Sequence, residues 1–338
     1  MRTVPAADLL ELATDILVVA GAAEADAHEV ARSLVESNLL GHDSHGVRRL
    51  VAYTAAIRDG KVDPTARPVA EHTRPGAVVV HGRRAFGQLA ANTAVRELLN
   101  LDQGSGVAVI RECNHVGRLG EYVAALAERD LVALAFGNAD ATVAPFGGRE
   151  RRLGTNPLAW AAPREKGRPP VVMDWATAGV AEGKLAVARD RREEVADGLV
   201  LDPEGRMSRD PNDFYAGGVL LPFGGHKGYG LSVLIEIVGG LLTGAGIGSM
   251  PDYHGDFGTV LMAFAIDAFQ PAAEFRAGTE AFCRHLTDTA PAQGHDEVLV
   301  PGEPEERTRA RRERDGIPIA EPTWHELTAL LRTEEERR

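Results

Sequence analysis

Two histidines, a hydroxyl, a carboxylate and two arginines fall within ten residues in the stretch GHDSHGVRRL, Gly41 to Leu50, between segments of helical pattern. His42, His45, Arg48 and Arg49 crowd one helix start; His45 can exchange a proton with a neighbouring hydroxyl or carbonyl, and Arg49 can grip a carboxylate bidentately, with Tyr53 four residues further on the same helical face. Such a set suits an anionic substrate that gains or loses a proton. The same stretch also reads as a helix junction, with Asp43 or Ser44 capping a helix that starts near Gly46.

Three further segments offer chemistry. NHVGRLGEY, Asn114 to Tyr122, follows the apolar run GVAVI, which places His115 just beyond a strand end, where ligands of α/β sheets collect. PFGGHKGYGLSVLIEIVGGLLTGAG, Pro222 to Gly246, sets a glycine-rich loop before a long apolar helix. There Gly224, Gly225, Gly228 and Gly230 would let a phosphate approach the backbone, and Lys227 would add positive charge. The alternative reading makes the glycines serve a tight turn and close packing. GTNPLAW, Gly154 to Trp160, is a turn entering a strand, with Thr155 and Asn156 beside the bend at Pro157.

Elements must hold these groups in place. Leu9, Leu10, Ala13, Ile16 and Leu17 recur at helical spacing, as do Val30, Leu34, Val35 and Leu39, then Val47, Leu50, Val51, Thr54 and Ile57. GKVDPTARP, Gly60 to Pro68, ends this helical region, and a domain boundary near residue 75 follows. Strands are predicted at Ala77 to Val80, Gly106 to Ile110, Leu131 to Phe136, Pro157 to Ala162, Val171 to Asp174 and Thr259 to Ile266. Helices are predicted at about Phe86 to Asn100, Gly120 to Arg129 and Gly228 to Leu242. The long loop from Asp190 to Pro222 leaves room for antiparallel pairing. Charge-dense helices close the chain after Pro301.

The chain has 338 residues, 44% of them hydrophobic, and a formal charge of -12. That balance repels nucleic-acid phosphates and anionic lipid, so a small ligand bound by local positive charge is expected. Two cysteines, Cys113 and Cys283, lack any metal-binding spacing and fit a reducing cytoplasm. The apolar N-terminal run is interrupted by Glu11 and Asp15, so it reads as an amphipathic helix and not a secretory signal.

Four catalytic signatures come close and fail. GHDSHG puts two residues between Gly41 and Ser44, against one in a nucleophile elbow. HEVAR, His28 to Arg32, lacks the second histidine of a zinc helix. GVAEGKL, Gly179 to Leu185, has a short glycine spacing and no hydroxyl after Lys184, so it is not a P-loop. GSGVAV, Gly104 to Val109, has Val109 where a Rossmann fingerprint needs its third glycine.

Taken together, GHDSHGVRRL, NHVGRLGEY, APFGG, GTNPLAWAAP, MDWATAGVAEGK, LLPFGGHKGYGLSVLIEIVGGLLTGA and VLVPGEPEERTRARRERDGIPI resemble the malate/L-lactate dehydrogenase family that is distinct from the Rossmann-type enzymes. The matching segments run in order from residue 41 to 319. The resemblance implies an α/β fold in which a non-Rossmann NAD(P)-binding domain with a mixed, largely antiparallel sheet, residues 76–284, is joined to a helical domain made from both chain ends, 1–75 with 285–338. It implies a homodimer, an NAD or NADP cofactor and no metal.

By the same resemblance, His115, His45 and Ser44 form the catalytic set, and Arg49, Tyr53 and Thr155 bind substrate. Cofactor contacts carry over to Asn138, Asp174, Trp175, Ala176, Thr177, His226, Lys227, Gly228, Pro301, Gly302 and Glu303. The chain departs from the family at Ala139, Trp175 and Gly179, and PDYHGD, Pro251 to Asp256, supplies no second substrate arginine. The expected reaction moves a hydride between nicotinamide and C2 of a small 2-hydroxy or 2-oxo acid, with His115 as acid/base. Reduction of a cyclic C=N bond, as in piperideine or pyrroline carboxylate reductases, is the nearest alternative. A non-catalytic nucleotide-binding protein and a metal-dependent hydrolase are the others.

Overall fold

The structure, a computed structural model, describes residues 1–101 and 105–335. Gly104 of the rejected glycine motif and the last three residues of the predicted final helix lie outside the described residues.

The two chain ends share one core. Leu9, Ala13, Ile16 and Leu17 of helix Ala6–Val19 are fully buried against Val30, Ala31 and Leu34 of helix Glu24–Leu39. Leu327 of the final helix, Glu321–Glu335, completes the same cluster. Strand Arg2–Val4 pairs antiparallel with Ile317–Ile319 and ties the ends together. Each buried Leu or Ile here contributes about 1.5–3 kcal/mol by leaving water.

A seven-stranded sheet runs in the order Val69–Arg74, Ala77–His81, Ser105–Arg111, Thr259–Ala265, Leu131–Gly137, Pro157–Ala162, Val171–Ala176. Ala77–His81 and Ser105–Arg111 pair parallel, and every other neighbouring pair in this sheet is antiparallel. The sheet is therefore mixed and largely antiparallel, as expected. The alanines Ala108, Ala133, Ala135, Ala159, Ala161 and Ala263 floor one face, and their small side chains let helices Gly87–Leu99 and Leu119–Ala127 pack close. On the other face Ile235 and Val238, from the helix starting at His226, meet Phe136, Leu158 and Val260.

All six predicted strands form, with ends shifted by no more than two residues. Several elements were not anticipated. The edge strand Val69–Arg74 is mostly exposed, so no apolar alternation announces it, and it pairs through a turn at Pro75 and Gly76 (φ +72°). The boundary drawn at residue 75 thus falls inside a hairpin of the large sheet. Helices Ala272–Thr287 and Glu182–Arg191 also went unread, whereas the long loop does carry a small antiparallel sheet of Val200–Leu201, Met207–Ser208 and Val219–Leu220. The helix from His226 changes to π geometry over Glu236–Leu241. No helix among the described residues is long and apolar enough to cross a membrane.

Candidate active site

Asn38, at the end of helix Glu24–Leu39, shapes the opening stretch. Its Oδ1 accepts the Val47 amide at 2.9 Å and its Nδ2 donates to Asp43 Oδ1 at 2.7 Å. A Cβ on Gly46 would lie 2.2 Å from that Oδ1, so only glycine fits there. Arg312 clamps Asp43 from the far end of the chain, at 2.6 and 3.0 Å. The capping role expected of Asp43 or Ser44 is therefore corrected: Asp43–His45 form a 3-10 turn, the next helix is Arg49–Arg58, and Arg48 caps it without a side-chain bond. Asp43 is engaged by Asn38 and Arg312 instead.

A second loop brings in His115. Asn114 Nδ2 donates to the carbonyls of Arg84 and Ala85 at 3.1 and 3.0 Å, and the Tyr122 hydroxyl donates to the Val116 carbonyl. Gly87 lets this loop press in, since a Cβ there would lie 2.4 Å from the Asn114 and His115 carbonyl oxygens. As a result the Tyr53 hydroxyl sits 2.9 Å from His115 Nδ1, and the His45 and His115 rings stack at 5.4 Å with 26° between their planes. Ser44 Oγ is 3.0 Å from His45 Nδ1, and Arg49 Nε donates to the Ser44 carbonyl at 3.0 Å. Phe257 presses edge-on against His115 at 6.1 Å. Ser44, His45, Arg49, Tyr53 and His115 thus form one cluster from two distant segments.

Burial and cations set its electrostatics. Desolvation, then the Arg49 charge, lowers the His45 pKa to about 3, and the same two causes hold His115 well below the ordinary histidine value. Desolvation, then Arg118, lowers His42 to about 4. Burial raises the Tyr53 hydroxyl to about 12. At neutral pH the imidazoles are uncharged and Arg49 carries the positive charge of the cluster.

These shifts make a stability prediction. Above the unfolded histidine value of about 6.5 the three imidazoles are neutral in both states; below it the unfolded chain takes up protons that the folded chain refuses. Stability is greatest above that pH and is lost as pH falls toward the folded values, by at most about 1.4 kcal/mol per pH unit per group, less where water screens the ring. The Tm measured from about pH 7.5 to 4.5 should fall, and a His42→Gln/His45→Gln double variant should flatten the fall. An unaltered slope in the double variant would contradict this assignment.

His42, three residues before His45, lines a cavity of about 610 Å³ together with Arg118, Gly120, Asp174, Gly302 and Glu305, among others. Asp174 Oδ2 accepts the Gly120 amide at 2.7 Å, and burial raises its pKa. Arg118 is 8% exposed, yet its Nε has no hydrogen-bond partner among the described residues. Gly302 (φ +96°) heads helix Glu303–Asp315, and the Pro301 carbonyl accepts the Val172 amide at 3.3 Å. Glu303 itself is engaged by the Val300 amide at 3.2 Å and Arg164 at 3.4 Å.

The remaining predicted residues are placed elsewhere. Trp175 packs with Leu158 and Ile235 on the sheet face opposite Asp174, as strand alternation requires, and Ala176 packs beside Ala178 and Leu185. Thr177 Oγ1 donates to the Asn156 and Thr155 carbonyls at 3.0 and 3.2 Å. Asn138 is buried and fully used, donating to the Gly246 carbonyl and accepting the Gly258 amide, each at 2.8 Å. His226 and Lys227 are exposed at a helix start after Gly224 and Gly225, with His226 against Phe146, while Gly228 is buried against Phe223. Among the described residues no hydrogen bond, ion pair or ring contact joins them to the histidine cluster.

Several site residues escaped the sequence reading. Asn38 and Gln88 are single residues in helical patterns, and Gly183 lies in the rejected P-loop stretch; a Cβ on Gly183 would lie 2.8 Å from Ser44 Cβ, so helix Glu182–Arg191 starts against the histidine cluster.

The chain can be compared with known proteins on this geometry. A family model described as malate/L-lactate dehydrogenase matches residues 4–328. An L-lactate dehydrogenase of Cupriavidus necator is 35% identical, over 96% of this chain and 95% of that protein. A delta(1)-pyrroline-2-carboxylate reductase of Ancylobacter novellus is 33% identical over 96% of each. Among solved structures, a malate dehydrogenase from Entamoeba histolytica superposes with a TM-score of 0.93 at 26% identity, covering 99% of this chain and 98% of that one. The family model and these relatives define an enzyme of the dehydrogenase and reductase class. The chain belongs to the malate/L-lactate dehydrogenase family.

Proposed function

We propose that the protein is an NAD- or NADP-dependent oxidoreductase that moves a hydride between the nicotinamide and C2 of a small 2-hydroxy or 2-oxo carboxylic acid. The observation that carries this reading is the meeting of His45, His115 and Arg49 in one cluster, with His42, three residues before His45, on the wall of a large cavity. The cavity volume lies within the range of small-molecule sites. The buried, unpartnered Arg118 Nε fits an anionic group of a dinucleotide, and Gly120 and Gly302 line the same cavity.

In this reading the bound cofactor supplies or accepts the hydride. Arg49 holds the substrate carboxylate, His115 moves the proton at the C2 oxygen, and Ser44 and His45 polarise that oxygen. Asp174, Pro301, Gly302 and Glu303 shape the cofactor wall. Asn138, Thr155 and Thr177 fix the loops that carry it, and Trp175, Ala176 and Gly228 back them. His226 and Lys227 meet the cofactor from the glycine-rich loop. A division into a helical unit from both chain ends and a non-Rossmann NAD(P)-binding unit goes with this reading, with the boundaries moved from 75 and 284 to lie outside the hairpin that begins at Val69 and the helix Ala272–Thr287.

Reduction of a cyclic imine carboxylate is the second reading, favoured by the pyrroline carboxylate reductase among the relatives. A homodimer is proposed on the exposed stripe Leu234, Ile237, Leu241 and Leu242 along one helix face. A cytoplasmic setting accords with Cys113 and Cys283, both free and buried. The charge of -12 argues against nucleic acid and membrane partners.

The test is a panel of 2-oxo acids and cyclic imine carboxylates, each with NADH and NADPH, followed by loss of reduced-cofactor absorbance. Turnover is expected with at least one 2-oxo acid; turnover confined to imines would transfer the assignment to the second reading. No turnover with any member would overturn both.

A further inference from the structure

His115 is occupied on its Nδ1 side. The Tyr53 hydroxyl, to which Gln88 Nε2 donates at 2.8 Å, lies 2.9 Å from Nδ1, and the Gly117 amide reaches the same atom at 3.3 Å. Two phenyl rings touch this set. Phe86 meets Tyr53 and is buried in the helical core, 2% exposed, whereas Phe257 meets His115 at 6.1 Å with 86° between the planes and packs into no buried apolar cluster among the described residues. Phe257 stays partly exposed although its backbone is fixed. Its amide donates to the Cys113 carbonyl at 2.9 Å, the Gly258 amide donates to Asn138 Oδ1 at 2.8 Å, and a Cβ on Gly258 would lie 1.6 Å from the Gly239 carbonyl oxygen. A large apolar ring held this firmly beside a reactive imidazole, and not covered by the protein's own core, is placed to be covered by a ligand.

The chemistry of the proposed reaction says which part of the ligand. C2 of a 2-oxo acid is trigonal: one arm is the carboxylate, one the oxygen, and the third the tail that distinguishes one acid from another. With the carboxylate on Arg49 and the oxygen on His115, the tail is the arm left for the ring beside His115. We propose that Phe257 is a specificity-determining residue, the wall on which the C3 tail lies, and that the substrate is therefore a 2-oxo or 2-hydroxy monocarboxylate with an apolar tail. A second carboxylate in that place would face a phenyl ring that can neither pair with it nor hydrogen-bond to it, and a charge taken from water without a partner is costly. This inference rests on the hydride-transfer reading above, with His115 and Arg49 in their roles.

The charged groups around the ring point the same way. Asp256, the preceding residue, is half-buried, and the charges acting on it are Glu112, His254 and Arg84. Arg84 is turned to the Gly60 carbonyl, which its Nη1 meets at 3.0 Å. Arg118 lines the cavity given above to the cofactor. Two carboxylates against one arginine leave this rim without the surplus positive charge that a dicarboxylate would need.

The test compares tails. The ratio kcat/KM is measured with pyruvate, with 4-methyl-2-oxopentanoate and with oxaloacetate, whose charged tail has nearly the shape of the isobutyl one, in wild type, Phe257→Ala and Phe257→Arg. Preferences between acids are read within one protein, so any loosening of His115 by the substitution cancels. Wild type should prefer the isobutyl acid to pyruvate by about tenfold, for three more carbons at less than full burial, and to oxaloacetate by about tenfold or more. Phe257→Ala should bring the isobutyl preference over pyruvate to within about threefold. Phe257→Arg should raise oxaloacetate relative to the isobutyl acid by about tenfold or more, a gain that a misfolded protein cannot show. Oxaloacetate as the better substrate of wild type, or preferences unmoved in both variants, would overturn the proposal and leave the hydride-transfer reading standing, since a 2-oxo acid is then turned over. No turnover of any 2-oxo acid by wild type would overturn both.

Discussion

His115→Ala should lower kcat by about 10²–10⁴-fold, a barrier increase of roughly 3–5.5 kcal/mol, while cofactor affinity stays within a few-fold. General acid–base catalysis supplies a gain of that size only when the proton-moving atom is held within hydrogen-bond reach of the reacting oxygen. His115 is held on three sides: by Tyr53 at Nδ1, by the His45 ring on one face and by the edge of Phe257. Its Nδ1 is occupied by Tyr53 and Gly117, so Nε2 is the atom left for substrate. His45→Ala should cost less than His115→Ala, because His45 acts in this account by polarising and its Nδ1 is already spent on Ser44. Steady-state kinetics with cofactor binding followed by fluorescence checks both, and an unchanged kcat in His115→Ala would remove it from the reaction.

The second large effect belongs to Arg49. Its Nε is tethered to the Ser44 carbonyl, which fixes the guanidinium plane and leaves the two Nη groups as a fork for a carboxylate. Charge-assisted bonds contribute about 1.5–3 kcal/mol each, so Arg49→Ala should raise KM for the acid by roughly 10²-fold or more. Arg49→Lys should recover little of this, since an ammonium cannot keep the Ser44 tether and offer two parallel donors at once. Removing the arginine also removes the second cause of the lowered pKa values of His45 and His115, so the pH profile of Arg49→Ala should shift its histidine limb upward. An unaltered KM for every 2-oxo acid would show that the carboxylate is held elsewhere.

Much of this arrangement was legible before any coordinates. Apolar runs such as PLAWAA and TVLMAFAI are interior strands of a sheet covered on both faces, so they read as strands directly. The edge strand VAEHTR has no buried side to pattern and left no periodic signal, whereas helix Ala272–Thr287 does carry apolar residues at helical spacing, Phe275, Phe282, Cys283 and Leu286, a pattern that went unread. In the site, clustered chemistry in GHDSHGVRRL and NHVGRLGEY was visible, but the partners that orient it were not. Asn38 and Gln88 each act through a single amide placed by tertiary packing, and local spacing says nothing about such a contact. The contiguous stretch Asp174 to Thr177 illustrates a different limit: neighbours on a strand point to opposite faces, so Asp174 reaches the cavity wall while Trp175 packs against Ile235.

The proposed reaction requires hydride to reach C2 of a carboxylate-bearing substrate held between Arg49 and His115. Its most direct test follows deuterium from reduced nicotinamide labelled at C4 into product, in wild type and His115→Ala, with a panel of 2-oxo acids and cyclic imine carboxylates. Deuterium at C2 in the wild-type product, formed at a rate about 10²-fold or more lower in the variant, is the predicted result. Wild-type product without deuterium at C2, or equal rates in the two proteins, would contradict it.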